Sequence, residues 1–280
     1  MSAPTEDPLT CGFHGTILRK PSRGDDEEVK RKELEKWLNE YLNVNAVSDY
    51  LPNGLQVEGK EEIEKILTAV SINLDVVHEA VRKNADAVIV HHGMFWKSED
   101  RTVIGYRRAR MDVLLRNNIN LFAFHLPLDT HPKISHNRII LEHIGADHIT
   151  GIQENGKEFD YGMKGTFLAP LSFKELVNRI NESLQTEARY FHCGKEQVGS
   201  IFVVSGAGRN LIDKIPALEV DAFLTGDAAE STQYIAKEER INYIYAGHYN
   251  TEKPGIIELG RLIAEKYHLN VQFFDCGNLL

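Results

Sequence analysis

Apolar positions along this chain fall into two periods that alternate. Leu34, Trp37, Leu38, Tyr41 and Leu42 recur at i, i+3, i+4, the spacing of one buried helical face, and predict a helix from near Glu27. Continuous apolar runs at 66–71, 85–90 and 119–124 predict strands buried on both faces. Between and after them, 74–83, 109–117 and 136–144 carry helical spacing. Leu51-Pro52-Asn53-Gly54-Leu55-Gln56-Val57 reads as a turn into a short extended piece. Further on, a strand at 165–168 precedes a helix at 172–184, with Ser172 as its cap and Glu175 at the capping-box position. Strands at 201–205, 222–225 and 241–246 alternate with helices near 210–215 and 230–239. Pro254, in a favoured first-turn position, opens a last helix to 266, and 271–274 predicts a final strand. Alternation of this kind predicts an α/β architecture.

Residues 1–27 are polar, contain Pro4, Pro8 and Pro21 and have neither period, so they read as a loosely ordered extension. The glycine- and charge-rich stretch 151–162 predicts a boundary between a first half, 28–150, and a second, 151–280, whose C-terminal part is free to pack with the first. The halves look like copies. Ala69-Val70-Ser71 and the later Asp86-Ala87-Val88-Ile89-Val90-His91 parallel Val203-Val204-Ser205 and Asp221-Ala222-Phe223-Leu224-Thr225-Gly226. Ile119-Asn120 opens a strand ending in His125 with Asp129 four residues on, and Ile241-Asn242 opens one ending in His248 with Glu252 four residues on. Two matches in the same order favour duplication over chance. The predicted fold is two duplicated α/β domains of like fold, packed about a pseudo-twofold axis.

Composition narrows the classes. With 280 residues, 42% hydrophobic and 26% charged, the chain reads as an ordinary globular protein with ample core. A net charge of −9 argues against a nucleic-acid binder held by phosphate contacts. No run reaches the ~18 apolar residues of a membrane helix. Cys11, Cys193 and Cys276 are far apart and lack metal-finger spacing, which fits a reducing cytoplasm, and no secretory or mitochondrial leader is readable. Arg107-Arg108-Ala109-Arg110 is the one dense basic cluster, read as a solvated helix start, with an anion grip as the lesser alternative.

The chemistry centres on His91-His92-Gly93, at the end of an apolar strand, where α/β folds bind ligands. Adjacent strand residues point to opposite faces, so two neighbouring ligands predict a departure from regular β geometry, with Gly93 supplying the freedom. If the halves pack about a twofold axis, His91, His92, Asp129, His248 and Glu252 converge on one cleft. Imidazoles mixed with carboxylates suit two divalent ions per chain, Fe, Zn or Mn, bridged by a carboxylate. Gly226-Asp227 occupies the second half's double-histidine position, so one binuclear site is expected, not two. Singly, each candidate has a plainer role: Asp129 capping a turn, Glu252 facing a helix dipole, His125 satisfied in the core. Their joint placement at strand ends tips the reading to metal. His131 and His136 stay as alternates.

Leu51 to Gly59, His91-His92-Gly93-Met94-Phe95-Trp96-Lys97, His125-Leu126-Pro127-Leu128-Asp129, Thr225-Gly226-Asp227 and Gly247-His248-Tyr249-Asn250-Thr251-Glu252 closely resemble the Nif-three-like dinuclear metal-centre family, from about Leu34 onward. Its bacterial members are commonly named GTP cyclohydrolase I type 2 homologs. The resemblance places the family's metal ligands on His91, His92, Asp129, His248 and Glu252. It implies two α/β domains, a divalent metal pair and a toroidal homohexamer, without an agreed substrate. Tyr249 stands where many relatives have histidine, and Asn250 where many have alanine.

The expected function is metal-dependent hydrolysis of a small molecule, of the ring-opening type on a nucleotide. His125 and Glu230 are placed as proton carriers or orienting groups on position alone. Arg107, Arg108 or Arg110 would meet phosphates, since no glycine-rich phosphate loop is present. The alternatives are a metal-dependent phosphoesterase and a non-enzymatic metal-binding regulatory or interaction protein.

Overall fold

Three of the apolar runs, Lys65–Ser71, Ala87–His92 and Asn120–Ala123, lie side by side in parallel. A computed structural model describes residues 16–17, 28–97, 100, 102–154 and 157–280. Side chains in the central strand alternate between two cores. Ala87 and Ile89 face the helices Arg31–Tyr41 and Lys253–Tyr267 through Leu34, Leu38, Ile256 and Leu259. Val88 and Val90 face the helix Leu74–Arg82 through Val76, Val77 and Ala80. A strand covered on both faces needs apolar residues at every position, which is why its sequence is unbroken rather than alternating.

Gly54–Val57 closes one edge of this six-stranded sheet antiparallel to Asn120–Ala123, and Asn270–Phe273 lies on the other side, parallel to Lys65–Ser71. The end of the chain therefore returns to the first half. The N-terminal extension is not wholly irregular: Thr16–Ile17 pairs antiparallel with Phe273 and Gln272. Otherwise the expectation for residues 1–27 lies outside the described residues.

A second six-stranded sheet also has three parallel strands at its centre, but the strand beside Gln197–Val204, Lys157–Ser172, is antiparallel. Gln197–Val204, Ala222–Thr225 and Asn242–Tyr245 run parallel, with Arg189–Phe191 as the antiparallel edge strand. The helix Phe173–Leu184 covers one face, and the 3-10 helix Arg209–Leu218 with the helix Glu230–Glu238 covers the other. The stretch expected as a boundary is strand instead. Asp147–Glu154 and Lys157–Ser172 pair antiparallel, Gly151 facing Met163, so the second sheet begins before residue 151. Phe167 is buried, and Ile149, Met163 and Leu171 pack against the same core as the helix Phe173–Leu184, too widely spaced to read as an alternating strand.

One loop recurs in both halves. Asp86 salt-bridges Lys60 and accepts the N–H groups of Glu64 and Lys65, while Asn120 accepts from Gly59 N and donates to Lys60 O. Asp221 likewise pairs with Lys195 and accepts from Gly199 and Ser200, and Asn242 accepts from Gly194 N and donates to Lys195 O. Among the described residues no helix is long and apolar enough to cross a membrane.

Candidate metal centre

The strand Ala87–His92 stays regular through both histidines, with Ser71 registered opposite His92. Gly93 is not needed for unusual backbone angles. It is needed for space, because a β-carbon there would stand 2.3 Å from Oε1 of Gln56. The two rings follow opposite faces of the strand, yet at its end they turn together, with centroids 4.6 Å apart.

Hydrogen bonds fix which nitrogen each ring presents. His91 Nδ1 lies 2.9 Å from the Phe124 carbonyl, so Nδ1 carries a proton and Nε2 is the nitrogen left to face the site. His92 Nδ1 meets Ser71 Oγ at 2.9 Å, which again leaves Nε2 for the site. Both carboxylates arrive on short helical turns. Asp129 ends the turn Leu126–Asp129, and Glu252 stands at the start of the helix Lys253–Tyr267, directly after the turn His248–Thr251. This is where the chain crosses back from the second sheet to the first, and the crossing brings His248 and Glu252 to the histidine pair.

Glu252 faces both directions. Its Oε1 lies 3.7 Å from His91 Nε2, while Oε2 lies 3.4 Å from His92 Nε2 and 3.1 Å from His248 Nε2. Asp129 Oδ1 lies 3.7 Å from both His91 Nε2 and His136 Nε2. His91 Nε2, Asp129 Oδ1 and His136 Nε2 are buried with no hydrogen-bond partner. Such atoms are costly to leave unpaired. Their spacings are near the ~3.3 Å edge of a tetrahedron built on ~2.0 Å metal–ligand bonds. Two of the groups that could hold an ion are His91, Asp129 and His136, and His92, His248 and Glu252. The donor set fits a divalent metal.

Without a cation the groups share protons uneasily. Burial would push His91 down, but the Asp129 and Glu252 carboxylates hold it up at about 9. Burial pushes His92 down to about 3, against the pull of Glu252. It also pushes the Asp129 carboxyl up to about 6, against the attraction of His91. Glu252 resists the same effect, because His92 and His91 keep it well below the ordinary carboxylate range.

His125 joins the cluster, its ring 4.9 Å from that of His91. Its Nδ1 lies 3.0 Å from Oδ1 of Asp49, a buried carboxylate that also accepts from the Leu126 N–H and from Asn53 Nδ2. Sequence reasoning did not single out Asp49, which sits in a loop far from His125 along the chain. Glu230 does not join. It is exposed in the first turn of its helix and does not line the cleft. Arg110 lines a cavity together with His92, His248 and Glu252, Arg107 lines a neighbouring one, and Arg108 is exposed. His131 is spent on structure, receiving the N–H groups of Lys133 and Ile134 and meeting the Tyr41 carbonyl.

With this geometry in view, known proteins give a consistent picture. Residues 29–278 match the Duf34/NIF3 (NGG1p interacting factor 3) family. The chain is 40% identical over 251 residues to the GTP cyclohydrolase 1 type 2 homolog of Escherichia coli K12, which spans 89% of this chain and 99% of that one. It is 37% identical over 250 residues to the protein of that name from Vibrio cholerae, spanning 88% and 98%. A solved structure described as protein ybgI, of unknown function, is 40% identical with a TM-score of 0.85, covering 90% of this chain and all (100%) of that one. TTHA1606 from Thermus thermophilus is 29% identical with a TM-score of 0.81, covering 90% and 100%. A family match over nearly the whole length, with relatives at this identity, means that the chain belongs to the Duf34/NIF3 family.

Proposed function

We propose that the protein is a divalent-metal-dependent hydrolase with a binuclear centre, acting on a nucleotide-type ring. The observation that carries the reading is Glu252, whose two oxygens face different histidine sets, Oε1 toward His91 and Oε2 toward His92 and His248. In this reading His91, Asp129 and Glu252 hold one ion, and His92, His248 and Glu252 the other. A bound divalent pair supplies Lewis-acid polarisation and an acidified water. His125 Nε2 takes and returns a proton, with Asp49 fixing the ring tautomer through Nδ1. The curated relatives are named GTP cyclohydrolase 1 type 2 homologs, which favours ring hydrolysis over phosphate-ester cleavage.

We also infer that the halves arose by duplication, supported by the paired Asp86–Asn120 and Asp221–Asn242 loops. One centre per chain follows from packing. Gly226 matches His91 in the repeat, and a β-carbon there would fall 2.5 Å from the Gly206 carbonyl oxygen and 2.6 Å from His248 Cα. A homohexamer belongs to the same proposal. Ile104, Tyr106 and Leu115 are exposed on and beside the helix Gly105–Arg116, where only Leu114 is buried, and a partner chain would cover them.

The test is metal analysis with turnover. Protein carrying two ions per chain should release formate or a ring-opened product from a panel of purine nucleotides and nucleosides, and Asp129→Ala should abolish both metal and product. Full metal occupancy with no turnover across the panel overturns the hydrolase reading. It would favour an interaction role, as the family description suggests.

A further inference from the structure

The metal centre opens on a cleft of about 450 Å3. Tyr50 and Trp96 form an aromatic wall, their rings stacked at 5.8 Å and 28°. The second half contributes Val204, Ala207 and Leu211. Apart from the metal-facing groups and His125, the polar side chains here are the neutral Ser205 and Asn210. Among the described residues no lysine or arginine lines the cleft.

Three cations of the flanking segments, Arg209, Lys97 and Arg107, are engaged elsewhere. Arg209 is held by Asp227 through both its backbone N–H and its guanidinium. Lys97 donates to the Asp49 carbonyl and Arg107 to the Asp100 carbonyl, and both line a separate cavity beyond Trp96. Arg110 lies 4.8 Å from the Tyr106 ring centroid and lines the adjoining mouth, which shares His92, Trp96, His248 and Glu252 with the cleft but not its Tyr50 wall.

These features select a ligand by charge and shape. A triphosphate tail lying along these walls would find no lysine or arginine among the described lining residues, and the ions of the proposed centre are taken by the reacting end of the ligand, so its anionic oxygens would face apolar side chains and carboxylates. A flat ring meets what the walls offer: aromatic faces for stacking, aliphatic side chains, and a few neutral hydrogen-bonding groups. Tyr50 is 52% exposed beside an otherwise buried centre, an aromatic surface that a ring would cover. We infer that the cleft takes an uncharged planar heterocycle, of nucleobase or nucleoside type, laid against Tyr50 and Trp96, and excludes a triphosphate tail. This rests on the proposed metal centre for the reacting end of the ligand, but the ring site stands on its own walls.

The experiment uses the metal-loaded full chain with Trp37→Phe, which leaves Trp96 as the one tryptophan of the two in the sequence. The probes are the four common ribonucleosides with their mono- and triphosphates, titrated at fixed ionic strength while Trp96 fluorescence is followed. Calorimetry on the wild-type chain replaces fluorescence if the variant does not fold. At least one nucleoside should quench Trp96 and bind tenfold or more tighter than its triphosphate. Tyr50→Ala should weaken that binding about tenfold while metal content stays at the wild-type value.

A triphosphate or monophosphate that binds tighter than its nucleoside, with affinity falling steeply as salt rises, overturns the inference. So does the absence of binding by every nucleoside. The hydrolase reading fails separately: ring binding without turnover sinks that reading and leaves the ring site, whereas turnover of triphosphates alone sinks the ring site and leaves the hydrolase.

Discussion

A β-carbon on Gly206 would stand 2.2 Å from Oε1 of Glu252 and 3.3 Å from Nε2 of His248. Gly206 also holds φ at +68°, where an L side chain is strained by roughly 1–2 kcal/mol. Gly206→Ala should therefore act twice, lowering the melting temperature by a few degrees and displacing the Glu252 carboxylate, which the proposed centre shares between its ions. Metal content should fall to one ion or fewer per chain. Gly151→Ala is the control, since a β-carbon there meets open space. Retention of two ions by Gly206→Ala, measured by elemental analysis, would show that Glu252 Oε1 is not a ligand.

Asp49 gives a prediction in acid. Burial would raise its carboxyl, but hydrogen bonds from His125, Asn53 and the Leu126 N–H overcome that and hold it well below the ordinary value. A depressed carboxyl stabilises the fold above the ordinary value of ~3.9, and that contribution is lost as pH falls through the folded value. Asp49→Asn should be less stable than wild type at pH 7, with the gap narrowing below about pH 4. Denaturant midpoints across pH 2.5–7 read this directly. A gap constant over that range would mean that the carboxylate charge contributes nothing.

The parts of the molecule legible in the sequence are those whose periods survive burial. The parallel strands and the His-x-x-x-acid spacing of His125 to Asp129 and His248 to Glu252 could be read because strand ends sit at fixed offsets from apolar runs. The strands Asp147–Glu154 and Lys157–Ser172 were legible only at 165–168, because the glycine- and charge-rich stretch 151–162 carries no hydrophobic alternation. Asp49 was invisible for a different reason. A lone aspartate in a loop has no signature, and its partner lies at the end of a strand on another part of the chain. Glu230 was the converse, a carboxylate that position alone suggested and folding left at the surface.

His136 lies within ligand range of Asp129, but its tautomer argues against ligation. The Gly255 N–H donates to Nδ1 at 3.0 Å, and burial holds the ring well below its ordinary pKa, so it is neutral with the proton on Nε2. That nitrogen stands 3.7 Å from Asp129 Oδ1, beyond hydrogen-bond reach, and presents a proton where a ligand needs a lone pair. His136→Ala should weaken metal binding about 10–100-fold through Asp129, the usual cost of losing an outer partner. At saturating metal it should still take two ions, with an unchanged count of nitrogen ligands by X-ray absorption. A maximum of one ion would make His136 a ligand after all.

His91 links metal binding to protons. Its folded value of about 9 lies above the ordinary ~6.5, so the metal-free protein holds a proton there below about pH 9. The stabilisation that this proton brings is fully present below ~6.5 and is lost as pH rises to about 9. A divalent ion needs the neutral ring, so binding at pH 7.5 must expel the proton, and affinity should climb with pH until about 9. His248, held up by Glu252 against burial, adds to the release. Calorimetric titration with Zn2+ in buffers of different ionisation enthalpy counts these protons. The count should be higher at pH 7.5 than at pH 9.5, and His91→Ala should remove about one proton from the value at pH 7.5. Equal counts for wild type and His91→Ala at pH 7.5 would mean that His91 is already neutral before the metal arrives, and that Asp129 and Glu252 direct their charge to the other histidines.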